Sequence, residues 1–186
     1  RLAFAPTCVM FAGASKIFQA LTVDFMQSDD AYRAELQGAI ADIKAWAQTV
    51  ATVANITEEN DAFSWRLVVE PHAHGACPFE LMMRVISDEA LYDIRVADEG
   101  YEDRAIDDLN IFVPILEAVG AGHVIQRLWK SGISGTPLAL TTIVGMPGSE
   151  LWRTERSLSN LGDDDCHFKA EAHYVDRRFL PYFGDG

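Results

Sequence analysis

Near residue 60 the spacing of apolar residues changes from a helical period to an alternating one, so the chain reads as helix first and sheet afterwards. Phe11, Ala14, Phe18, Leu21 and Phe25 recur at intervals of three and four, which gathers them on one face of an α-helix. Leu36, Ala39, Ile40, Ile43, Trp46, Ala47, Val50 and Val53 form a second such stripe. Between the stripes, Ser28, Asp29 and Asp30 read as a stop and a new N-cap, with charge that suits a helix start. A helical hairpin over residues 1–56 is therefore predicted, with Thr7 capping its first helix and a short link making the two helices antiparallel neighbours. The alternation of Leu21, Val23 and Phe25 offers a strand as the alternative for residues 17–25.

After residues 55–61, read as the break, Phe63, Trp65, Leu67 and Val69 alternate with Ser64, Arg66 and Glu70, the pattern of a half-buried strand. Pro71 ends it. Residues 79–86 and 91–97 read as two further strands of a meander. Asp107 and Asp108 open a helix near 108–120 that Pro114 should kink or shorten, and Gly120 and Gly122 close it. Strands are expected at 123–130, 138–144, 150–158 and 168–175. Met146-Pro147-Gly148-Ser149 carries the residues of a type II turn. Segregated helices and consecutive hairpins argue for α+β and against a doubly wound parallel sheet. The predicted architecture is an N-terminal helical hairpin, a mainly antiparallel curved sheet over 62–178 and one further short helix, all in a single domain over 1–186. This element order is compatible with cone-shaped NTF2-like or cystatin-like domains, a comparison of fold and not of function.

Composition sets further bounds. A chain of 186 residues buries roughly 70% of the surface that its unfolded form exposes, so no staples are needed. A net charge of −13 argues against general affinity for nucleic acid or anionic membrane. Acidic residues crowd between Asp88 and Asp108 and read as a solvated rim of strands and turns. Three cysteines, Cys8, Cys77 and Cys166, are no disulfide framework and suit a reducing compartment, giving a cytoplasmic expectation. The apolar run 2–14 superficially resembles a secretory signal, but Pro6 interrupts it and Lys16, Gln19 and Asp24 follow, so it reads as core. Arg1 in place of an initiator Met reads as a fragment, a processed chain or a renumbered one.

Three constellations are candidates for chemistry. His72 and His74 lie two apart beside Cys77, and Cys166, His167 and His173 form a second short window. Brought together, His72, His74, Cys77, Cys166 and His173 would suit zinc or copper. A cupin-like pairing of His74 with Glu80 is a looser variant. The second candidate is a pocket between sheet and helices, drawing on Tyr92, Asp93, Arg95, Tyr101, His123, Arg127, Trp129, Trp152, Arg153 and Tyr174. A buried Asp93–His123 pair there would serve general acid–base catalysis, and Arg127, Arg153 and Tyr174 would bind ligand. Third, Arg127, Arg153 and Arg156 would form a stripe for a carboxylate or phosphate, with pairing to Glu150 and Glu155 as the simpler account.

The sequence lacks a Gly-x4-Gly-Lys-Ser phosphate loop, a dinucleotide-binding glycine triplet and a Gly-x-Ser-x-Gly elbow, and residues 132–136 read as a hairpin loop. The expectation is a non-catalytic binding or assembly module. The alternatives are a small-molecule enzyme or ligand carrier and a transition-metal protein. Phe4, Met10, Phe11, Ile17 and Met26 exceed what one buried stripe needs, which predicts a homo-oligomer or protein complex through the N-terminal helices.

Overall fold

The computed structural model describes residues 14–86, 89–146, 148–158 and 172–183, with side chains from residue 32 onward, Ile86 apart. Thr7, Cys8, the apolar residues before Ala14 and Cys166 lie outside them, as do the side chains of Ile17 and Met26. The protein is α+β, and the described residues form two antiparallel sheets, one long N-terminal helix and one short helix.

Helix α1 (Ala14–Val50) runs without a break through Ser28, Asp29 and Asp30, so the predicted helical hairpin is replaced by a single helix. The physical reason lies in the size of the stop signal. Ser and Asp cost only a few tenths of a kcal/mol each inside a helix, against about 3 for proline, and Ala14–Val50 contains no proline. Backbone proximity divides the chain into one unit ending at Gly38 and another beginning at Ala39. In the first, the backbone is helical from Ala14 to Gly38. The second holds the last turns of α1, where Ile43, Ala47 and Val50 are buried, and every described strand.

The first sheet is a five-stranded meander of β1 (Ala54–Asn60), β2 (Ser64–Pro71), β3 (Phe79–Ile86), β4 (Glu89–Val96) and β5 (Glu99–Ala105), paired in chain order. Trp65, Leu67 and Val69 of β2, Phe79, Leu81 and Met83 of β3 and Ile94 and Val96 of β4 are buried. Their register makes one apolar face, as the alternation predicts. β1 occupies residues expected to be a break. It is an edge strand exposed from Thr57 to Asn60, so it needs few apolar residues and leaves little pattern to read. Phe63, which the alternation assigns to the buried face, is 77% exposed, because the Asp61 carboxylate accepts from the Phe63 and Ser64 amides and turns the chain there.

A 3₁₀ turn at Leu109–Ile111 leads into α2 (Phe112–Gly120). Pro114 does not kink it. The helix starts two residues earlier, and a proline in the first turn removes an amide that has no intrahelical partner. Phe112 meets Tyr92 of β4 edge-on, with ring centroids 5.2 Å apart.

The second sheet has the order β8-β7-β6-β9, from β6 (Val124–Lys130), β7 (Pro137–Met146), β8 (Ser149–Ser157) and β9 (His173–Arg178). One curved sheet was expected; two are present. Residues 132–136 do form the hairpin loop between β6 and β7, closed by Ser131 and Thr136. Gly148 takes φ +84° in the β7–β8 turn. The last strand begins at His173, later than the predicted 168, and residues 168–171 lie outside the described residues.

Candidate functional site

The antiparallel register of β6 and β9 places Arg127 opposite Asp176 and Trp129 opposite Tyr174. Because side chains two apart share a face, all four project together. The Arg127 guanidinium donates to both Asp176 oxygens, from Nε at 2.8 Å and Nη2 at 3.0 Å, a parallel fork that fixes its plane. Its central carbon sits 3.9 Å from the Tyr174 ring centroid, within cation–π range, and Trp129 meets that ring edge-on at 5.2 Å. The Trp129 indole donates to Thr141 Oγ1 at 3.0 Å, and that hydroxyl donates to Glu155 at 3.0 Å. Hydrogen bonding from Arg127 lowers the Asp176 pKa, and the same bond raises that of Arg127.

Along the next rung of this face run Arg178, Ile125, Ile143 and Arg153, each the register partner of the next. Arg153 and Arg178 are exposed, the two isoleucines are half-buried, and Tyr174 is 50% exposed. The structure thus brings together Arg127 and Tyr174 and sets Arg153 on the same face. Arg153 lies 3.5 Å from Glu155 and 3.9 Å from Glu150. Arg156 does not extend the stripe. An odd separation from Arg153 turns it to the opposite face of β8, where it binds Glu99.

An open cleft of about 670 Å³ lies beside β5, lined among others by Glu80, Asp93, Arg95, Tyr101 and Arg156. Asp93 is engaged there. Both its oxygens accept from Arg84 Nη2, at 2.7 and 2.8 Å, and Oδ1 also accepts from the Asp103 amide at 2.7 Å. The register of β4 and β5 slips between Tyr92 and Ile94, so Asp93 supports an irregular rung. His123 is exposed immediately before β6, its amide bound to the Ala118 carbonyl.

Of the metal candidates, His72, His74 and His173 are exposed. His72 Nε2 lies 3.0 Å from Asn55 Oδ1. Cys77 is fully buried, with Sγ 3.4 Å from the Pro78 carbonyl, and burial pushes its thiol up to about 12. A thiol so shifted resists the deprotonation that metal ligation requires. Among the described residues, no three His, Cys, Asp or Glu side chains gather as a metal site.

The partners Asp176, Thr141 and Glu155 give the arginine–aromatic cluster its rigidity. Asp176 carries no signal of its own in the sequence pattern. It stands two residues after Tyr174, as Arg127 stands two before Trp129, a mirrored spacing that antiparallel pairing would match. The spacing becomes legible once β9 is known to pair with β6.

Fold and surface together define an α+β protein with two antiparallel sheets and a pinned arginine–aromatic cluster on the second. Comparisons with family models, curated proteins and solved structures found no match. Among the described residues, no helix is long and apolar enough to cross a membrane.

Proposed function

We propose that this protein is a non-catalytic binding module, and that the Arg127 face of its second sheet docks an acidic, apolar-bearing segment of a partner protein. The observation that carries this reading is the locked cluster of Arg127, Tyr174 and Trp129. Tyr, Trp and Arg dominate binding hot spots. A cluster already fixed by its own hydrogen bonds loses little conformational entropy on association. Arg153 and Arg178 flank Ile125 and Ile143 on this face, in a protein whose net charge is −13. Arg127 and Arg153 are already paired with Asp176 and with Glu155 and Glu150, so the carboxylates of an anionic segment would approach Arg178 and the outer edges of those pairs, with its apolar side chains on the isoleucines and rings.

The test titrates isotope-labelled protein with a synthetic peptide that alternates Glu and Leu, beside matched Lys/Leu and Ser/Leu peptides. The expected result is saturable movement of the Trp129 indole resonance with the acidic peptide alone, reduced at least tenfold in affinity by Tyr174→Ala with Arg178→Glu. Equal response to all three peptides, or none, would overturn the reading. Concentration-dependent dimerisation abolished by the same pair of substitutions would do so as well, assigning the face to a second copy of the chain.

A further inference from the structure

The opposite face of the second sheet carries buried polar side chains where an interior would ordinarily be apolar. Gln126 of β6 is the register partner of Thr142 of β7, which is the partner of Thr154 of β8. Trp152 stands on the same face, one rung away opposite Val144. Gln126 is 6% exposed, Thr142 0% and Trp152 7%. Among the described residues, Gln126 Nε2, Thr142 Oγ1 and Trp152 Nε1 are buried polar atoms without a hydrogen-bond partner. Directly paired residues have their Cβ atoms about 5 Å apart and diagonal ones about 7 Å, so an indole and a primary amide reach the space around Thr142. Each such atom left bare carries the full penalty of removal from water. Three in one patch are a cluster and not scattered defects.

We infer that Gln126, Thr142 and Trp152 form an internal hydration site, holding one or two structural waters against the second sheet. The donor set fits that ligand. The amide and indole offer N–H groups to a water oxygen, and the Thr142 hydroxyl either donates or accepts, which gives a water the two to four polar partners that keep it in an interior. Tyr101, a lining residue of the open cleft, packs edge-on against Trp152 with centroids 5.5 Å apart. The site lies across the sheet from Arg127 and is independent of the docking reading.

A high-resolution crystal structure of the full chain tests this. The expected result is a water-sized density peak within hydrogen-bond distance of at least two of the three atoms, absent from the isosteric variant Thr142→Val. Should that variant fail to crystallise, two-dimensional spectra of the unaltered protein give the same answer, through a rotating-frame cross-peak between water and the Trp152 indole proton of opposite sign to the diagonal. Three atoms that close on one another or on protein groups, with no peak between them, would overturn the inference. So would density too large for water.

Discussion

Arg156 of β8 donates three hydrogen bonds to the carboxylate of Glu99 on β5, from Nε at 3.0 and 3.1 Å and from Nη2 at 2.7 Å, and so ties one sheet to the other. The partners differ in burial: the Glu99 side chain is 5% exposed and that of Arg156 59%. Removing the arginine leaves the largely buried Glu99 carboxylate without its partner, whereas removing both partners does not. Arg156→Met is therefore expected to lower the melting temperature by several degrees, and the double variant with Glu99→Leu to lose less. A double-mutant cycle by chemical denaturation checks this, and a coupling energy of zero would refute the tie.

Acid should loosen the second sheet at the Arg127–Asp176 pair. The folded pKa of Asp176 is depressed, chiefly by hydrogen bonding from Arg127. Its stabilisation is complete above the unfolded value of about 3.9 and drains away as pH falls through the lower folded value. For a partly exposed pair the contribution is about 1 kcal/mol. In a carbon-detected titration Asp176 should protonate below the unfolded-chain value of about 3.9, and Arg127→Met should move it upward. An unchanged midpoint in that variant would separate the shift from the fork.

Alkali acts through Cys77, whose thiol burial pushes up to about 12. This group is neutral in both states below the unfolded value of about 8.5. Above that the unfolded chain ionises first, so stability is lost as pH rises towards the folded value. Native protein at pH 8 is expected to leave Cys77 unmodified by iodoacetamide until the chain opens. Peptide mass mapping checks this, and prompt modification under native conditions would contradict the burial.

The chain after β9 is held by backbone as well as side chain. Tyr182 donates from its hydroxyl to the Cys77 carbonyl at 2.6 Å and from its amide to Gly120 at 2.8 Å, and its ring lies 6.4 Å from that of Trp46. Tyr182→Phe should cost about 1–2 kcal/mol, a fall of roughly 2–8 °C for a domain of this size. Gly122 has φ +76°, and a Cβ there would lie 2.7 Å from the Pro181 backbone nitrogen. Gly122→Ala should therefore cost more than Tyr182→Phe. Thermal unfolding followed by circular dichroism ranks the two, and the reverse order would be inconsistent with this packing.

The strands most legible in the sequence are those with one face in the core. Trp65, Leu67 and Val69 of β2 alternate because water is excluded on one side only, and that asymmetry is written in the residues themselves. β1 and β5 are polar along most of their length; they join the sheet through backbone hydrogen bonds, which every residue type can make. At Ser28–Asp30 the sequence offers cap residues, yet caps are also tolerated inside a helix, and the backbone continues through them. Arg127, Trp129 and Tyr174 were legible as strand residues. That Asp176 pins the arginine, and that Arg156 turns away to Glu99, depended on pairings between residues 49 and 57 positions apart.

Local periodicity, turn residues and net charge by themselves determined the α+β class, the helix-before-sheet order, most strand positions and the sign of the protein's field. These depend on near neighbours, whose relative placement the covalent chain already restricts. The division into two sheets, the register that stacks Arg127 on Tyr174 and the burial of Gln126, Thr142 and Trp152 on one face were decided by tertiary structure. Strand pairing across long separations is selected by the total area and hydrogen bonding of the closed fold, a quantity that no single segment carries.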